Sequence, residues 1–232
     1  MQRRIVAVLG LLGPMLALAG CVSLKRTPEA RFFALRPTAE PAPAARAGGN
    51  VGEVGVLAVR IPRHLQRPQL VVWRSPSELA IDEFVRWAEP LDVALQQVLA
   101  DDLAAELPGH RVVRRPWPAR TELLCRVLVE LSAFGMQESR EVQLEGRWAL
   151  LPADRELPLE SRAVALSRGP LPAGTAADPG ATVEILNQLV DELAQQIATA
   201  IRELPPQTSP EPEPTHPPAD AAAGPAAPGA DR

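Results

Sequence analysis

The chain has 232 residues, 46% hydrophobic and 22% charged, a profile that fits one soluble globular domain or two small ones and excludes a polytopic membrane protein. A net charge of -4, from 24 basic and 28 acidic residues, argues against a protein that binds nucleic acid by neutralising phosphates. Aromatics make up 3% with no Tyr, so stacking platforms for single-stranded bases are scarce as well.

Residues 1–20 read as a signal peptide. Arg3 and Arg4 form a positive start, and Ile5 to Ala19 is an uncharged apolar run. As a helix, its 15 residues would span about 22 Å, short of the ~30 Å hydrocarbon core, so it is no lasting membrane span. The segment ends in Leu18-Ala19-Gly20-Cys21, which resembles the lipobox of bacterial lipoproteins. Small residues at 19 and 20 let the backbone enter a peptidase cleft, and the Cys21 thiol is the nucleophile that takes the lipid. The resemblance implies a diacylglycerol on Cys21, cleavage before it and an N-acyl chain on the new amino group. It names no other cofactor. More than one chain gives stable attachment. Val22 follows the cysteine where Asp would signal inner-membrane retention, which favours the outer membrane. Without residues 1–20 the chain keeps 22 basic and 28 acidic residues, so it does not seek anionic headgroups.

Residues 21–30 are then a lipidated tether. The folded domain is expected over 31–204, beginning with a short strand at Phe32-Phe33-Ala34-Leu35. A Pro/Gly-rich linker follows, to Asn50. Val51 to Ile61 is apolar and β-branched and predicts a strand, Pro62 to Pro68 a turn, and Gln69 to Arg74 another strand. Leu79 to Asp82 reads as a short hairpin partner. Pro90 to Leu107 predicts a helix with Pro90 at its first position and a stripe of Leu91, Leu95, Val98, Leu99 and Leu103.

Arg111 to Arg115 predicts a short strand. Glu122 to Phe134 alternates, with Leu123, Cys125, Val127, Val129, Leu131 and Ala133 on one face. Glu141 to Leu151 alternates likewise, with Val142, Leu144, Trp148 and Leu150 inward. Leu159 to Leu166 would complete a meander with one wet face. Asp178 then caps a second long helix, with Pro179 in its first turn and a stripe of Val183, Leu186, Leu189, Val190, Leu193, Ile197 and Ile201. The expected fold is α+β: a mostly antiparallel sheet with two long amphipathic helices packed on one face. Residues 205–232 hold nine prolines and almost no large apolar side chain, which predicts a disordered Pro/Ala-rich tail. Such a tail is either dispensable, a ligand for a proline-reading partner or a spacer toward peptidoglycan.

No strong catalytic signature is present: no G-x-S-x-G, no phosphate-binding glycine loop and no H-E-x-x-H. His64, His110 and His216 have no ligand spacing. Cys125 falls on the inward face of a strand, where a thiol acts as a small apolar residue. Glu141 and Glu145 read as a solvated face rather than an acid/base pair.

The segment from Pro62 to Leu91 carries a resemblance. With the lipobox, the Phe32-Phe33-Ala34-Leu35 strand, Val54-Gly55-Val56, and Arg67-Pro68-Gln69-Leu70-Val71, the run Arg86-Trp87-Ala88-Glu89-Pro90-Leu91 resembles the ABC-type transport auxiliary lipoproteins, also called PqiC-like membrane integrity-associated lipoproteins. The resemblance covers Cys21 to Leu204. The tail is no part of the family domain, and the Phe pair stands where Tyr is expected. It implies a non-catalytic, outer-membrane-anchored lipoprotein facing the periplasm. Its implied partners are an MCE-domain protein of an ABC or paraquat-inducible transport system, the membrane through its anchor and, in some members, copies of itself in a ring.

The residues singled out for docking or for the strand-to-helix junction are Arg67, Pro68, Arg86, Trp87, Glu89 and Pro90. From their types alone, Trp87 reads as a core anchor, Glu89 as favourable at a helix N-terminus, and Arg86 as a partner of Glu89 or of a neighbouring subunit. A packed junction is the alternative to docking. Two other function classes stay open: a lipoprotein that binds a lipid or other small ligand in its own pocket, which a dry lipid-sized cavity under the helices would favour, and a periplasmic hydrolase.

Overall fold

Alternation of apolar and polar side chains builds the largest part of the structure, a computed structural model that describes residues 28–38, 52–117, 121–176 and 178–204. The lipobox Leu18–Cys21, the signal peptide, most of the linker after the first strand and the tail 205–232 lie outside the described residues. Among the described residues eight strands form one sheet: β1 (Arg31–Phe33), β2 (Glu53–Val56), β3 (Gln69–Ser75), β4 (Glu78–Trp87), β5 (Val112–Arg114), β6 (Leu123–Gln137), β7 (Val142–Pro152) and β8 (Glu160–Arg168). Two long helices, α1 (Leu91–Glu106) and α3 (Pro179–Glu203), accompany it, with a single turn, α2 (Ala173–Ala176), before α3.

β6, β7 and β8 form the expected antiparallel meander. The rest of the sheet runs β1-β4-β3-β6-β2-β5. Here the expectation of a mostly antiparallel sheet is corrected. β1 with β4, β2 with β5, β2 with β6 and β3 with β6 all pair parallel, so the sheet is mixed. Alternation reveals which face of a strand is buried, not which way its neighbour runs. β6 shows why the mixture arises: β7 occupies one edge along its length. The other edge is shared by β2, by Arg60 bridged to Glu130, and by β3. β3 reaches β6 beside Gly135, whose φ is +147° and where a Cβ would meet the Val71 carbonyl oxygen at 2.8 Å.

The strand expected over Val51 to Ile61 is only Glu53–Val56 plus the Arg60 bridge. The short partner expected at Leu79 to Asp82 is the ten-residue β4. In β6 a register shift between Leu131 and Ala133 lets both Ala133 and Phe134 be buried, while Leu123, expected inward, is half-buried.

The α3 stripe is buried throughout, and Asp178 caps the helix by accepting the Gly180 N–H at 3.2 Å. α1 buries its predicted stripe too, but its division is less clean: Asp102 is buried and Val93 is 45% exposed. The interior between the helices and the sheet is filled by Leu99, Leu103, Val127, Leu144, Trp148, Leu186 and Ile197, each at most 2% exposed. Among the described residues no helix is long and apolar enough to cross a membrane.

Candidate functional site

Trp87 is the pivot of the one place where the singled-out residues meet. It ends β4, is 6% exposed, and lies with its ring centroid 6.4 Å from that of Phe134. Its N–H donates to the Pro68 carbonyl at 2.6 Å, and the next N–H, of Ala88, donates to the Phe33 carbonyl at 2.8 Å. The Pro62–Pro68 turn is closed by Leu65 N–H to Pro62 O at 2.9 Å and held by the buried Leu65. β4, the turn and β1 are therefore stitched together just before α1 begins.

The result is a notch of about 420 Å³ whose walls include Arg67, Pro68, Trp87, Glu89, Pro90 and Leu91. Five of the six residues singled out from sequence converge there. Arg86 does not. Its Nε donates to the Glu83 carbonyl at 2.7 Å and its guanidinium lies 3.7 Å from the Glu83 carboxylate, so the expected pairing with Glu89 is replaced by one with Glu83. Pro90 is the N-cap rather than the first helical residue, with ψ of 129°, and accepts from Val93 and Ala94 N–H. Glu89 stands one residue before the cap, exposed at the rim. The Arg67 Nε is buried in the notch wall without a hydrogen-bond partner among the described residues.

Sequence reasoning missed a second feature. Between the pairs Gln69↔Arg86 and Val71↔Ile81, β4 carries three more residues than β3. This bulge, Asp82 to Val85, is fastened by its own polar groups: the Asp82 carboxylate accepts Phe84 N–H at 2.8 Å, and Glu83 accepts the Gln69 amide at 2.7 Å. A groove of about 500 Å³ opens between the bulge and the start of α3. Bulges re-aim side chains and interrupt pairing, as here. Sequence reasoning also missed a clamp over the helices, where Asp102 Oδ1 accepts Thr38 N–H at 3.1 Å and Asn187 Oδ1 accepts Arg36 N–H at 3.1 Å. Its signal was visible: both residues are polar at positions spaced 3 and 4 from stripe leucines and valines.

The groups weighed for chemistry lie elsewhere. The Cys125 thiol is buried in β6, and burial pushes its pKa up to about 12, so it stays protonated. His64 packs edge-on against Trp73, and His110 Nδ1 lies 3.2 Å from the Gly52 carbonyl. Among the described residues no group of three His, Cys, Asp or Glu could hold a metal. Glu130 sits between Arg60 and Arg147 on the sheet face, and their hydrogen bonds hold its carboxyl below the usual range. A third hollow, of about 470 Å³, lies by Arg115, Trp117 and Arg126. There Arg126 is taken up by the Pro152 carbonyl and by Glu156. The notch and the groove are both open at the surface.

The fold thus defines an α+β protein with two helices on one face of a mixed sheet and a walled notch where β4 passes into α1. Residues 33–198 match the family described as ABC-type transport auxiliary lipoprotein component, and the chain belongs to that family. A crystal structure of an uncharacterized protein is similar at 20% identity and TM-score 0.60, covering 75% of this chain and 99% of its own. So is that of a Xanthomonas campestris protein of the family DUF330, at 17% identity and TM-score 0.57, covering 74% and 95%. These two likenesses establish a shared fold. No curated protein matches the chain.

Proposed function

We propose that the protein is a non-catalytic auxiliary lipoprotein of an MCE-type intermembrane lipid transport system, anchored to the outer membrane through Cys21 and facing the periplasm. In this reading 31–204 is the working domain, 21–30 its tether, and the notch its docking surface for the MCE-domain partner. The family supports an auxiliary transport role. The lipobox supports the anchor, and Val22 supports the outer membrane. The observation that carries the docking assignment is the convergence of Arg67-Pro68 with Trp87-Ala88-Glu89-Pro90 around one open notch. Buried aromatics beside Arg, rimmed by exposed charge, are what hot spots use.

The test is capture of the MCE-domain protein from crosslinked envelopes by the affinity-tagged full chain. Glu89→Arg reverses the rim charge at an exposed position, so capture should fall several-fold, while the lost attraction to the helix N-terminus lowers the melting temperature by a few degrees at most. Arg147→Glu, on the sheet face, should capture as the parent does. Equal capture by Glu89→Arg and the parent would remove the notch from the docking surface.

A further inference from the structure

The groove at the β4 bulge lies where the lipid anchor enters the fold. Arg31, the first residue of β1, pairs in register with Val85 of the bulge, and its guanidinium holds Asp178 at 2.9 Å, next to Pro179. Val85 and Pro179 both line the groove. Arg31 is ten residues after Cys21, a reach of at most about 36 Å at ~3.3–3.6 Å per residue. With the proposed anchor at Cys21, that reach lets the groove approach the membrane surface.

Its walls suit a hydrocarbon chain. Leu70, Val72, Ile81, Phe84 and Met136 supply apolar surface, Ile81 is 38% exposed, and the buried Thr182 hydroxyl is turned to the Met136 sulfur at 3.6 Å. The volume of about 500 Å³ lies within the roughly 300–1,000 Å³ usual for small-molecule sites. The lining carries two carboxylates and one guanidinium: Asp82 accepts Phe84 N–H, Glu83 accepts the Gln69 amide and faces Arg86, and the exposed Arg74 has no hydrogen-bond or ion-pair partner among the described residues. A free guanidinium beside an apolar trough matches a phosphodiester joined to an acyl chain.

We infer that the groove between the β4 bulge and the start of α3 seats one acyl chain of a bilayer phospholipid, with the lipid phosphate on Arg74. The inference rests on the Cys21 anchor of the proposed function but not on the MCE partner or the notch. Withdrawing part of a phospholipid at the anchored end is a step that a lipid-transport component can use.

The experiment is photo-crosslinking of the full chain in the bacterial envelope, with p-benzoyl-phenylalanine installed at Phe84 and, as control, at the exposed Ser161 of β8. Mass spectrometry of the purified protein should show a phospholipid adduct from position 84 and none from 161. Arg74→Glu should lower the yield several-fold. Ala80→Trp, which fills the groove, should remove it at an unchanged melting temperature. Fatty-acid label at Cys21 without a phospholipid adduct overturns the groove assignment alone. So does a crosslink from 84 to the chain's own N-terminal lipopeptide, to a second copy or to another protein. Absence of the label overturns the anchor and this inference together.

Discussion

The β6–β7–β8 meander and the β1–β4–β3 end of the molecule belong to one sheet but are ordered by different means. Between β7 and β8 the register runs unbroken from Leu150↔Glu160 to Val142↔Arg168, and the buried face is set by simple alternation. At the other end, β4 bulges by three residues, β1 joins it parallel, and the Pro62–Pro68 turn is tied to Trp87 by one backbone bond. Regular pairing leaves a solvated sheet face carrying the Arg60–Glu130–Arg147 cluster. Broken pairing leaves the notch and the groove. In the proposed reading, the recognition surface lies at the interrupted end and the regular half supports it.

The comparison can be broken first at its cores. Trp148 of the meander and Trp87 of the junction are both buried, at 1% and 6% exposure. Either Trp→Ala change should cost about 3–5 kcal/mol in denaturant unfolding, as large aromatic deletions do. A Trp87→Ala loss below about 1 kcal/mol, outside that range, would mean the junction is not packed as described.

Next in size is the clamp over the helices. Asp102→Ala leaves the Thr38 N–H without its acceptor, an expected loss of about 1–3 kcal/mol. Hydrogen exchange at Thr38 should quicken at the same time. An unchanged exchange rate would detach the segment after β1 from the helix layer.

Arg86→Ala is a smaller change that sharpens the comparison. Arg86 staples the bulge through the Glu83 carbonyl and stays outside the notch, so the loss should be about 1 kcal/mol, the range of one net hydrogen bond. Capture of the MCE-domain protein should be kept. Loss of capture at full stability would extend the docking surface to Arg86.

The smallest effect belongs to the regular half. Glu130 has its folded-state pKa lowered by Arg60 and Arg147. Its contribution is fully present above the unfolded carboxylate value of about 4.3 and is lost as pH falls through the lower folded value. With both arginines largely exposed it amounts to about 0–1 kcal/mol. Glu130→Gln should therefore be slightly less stable than the parent at pH 7 and converge with it in acid. A gap that widens in acid would reverse the assigned direction.

What was legible in the sequence follows the same division. The α3 stripe from Val183 to Ile201 and the alternation from Cys125 to Leu131 and from Val142 to Leu150 fix which faces are buried, because period and burial are one signal. Parallel pairing was not legible. Val54-Gly55-Val56 looks the same whether β6 runs with it or against it, and the crossovers that decide this are long-range. The length of β4 was hidden because Asp82-Glu83 interrupts the apolar pattern where the bulge forms. Five notch residues were found through a motif, but the pairing of Arg86 with Glu83 depended on that bulge. Asp102 and Asn187 were readable as polar residues on apolar stripes, though their partners, the Thr38 and Arg36 amides, were not.

The central claim is that docking belongs to the interrupted end and not to the regular one. Its most direct measurement places a photoreactive side chain at Glu89 in one full-length variant and at Ser161 in another, and irradiates intact envelopes. The account predicts a crosslink to the MCE-domain protein from position 89 and none from 161. A crosslink from 161 alone, equal crosslinks from both, or none from either would contradict it.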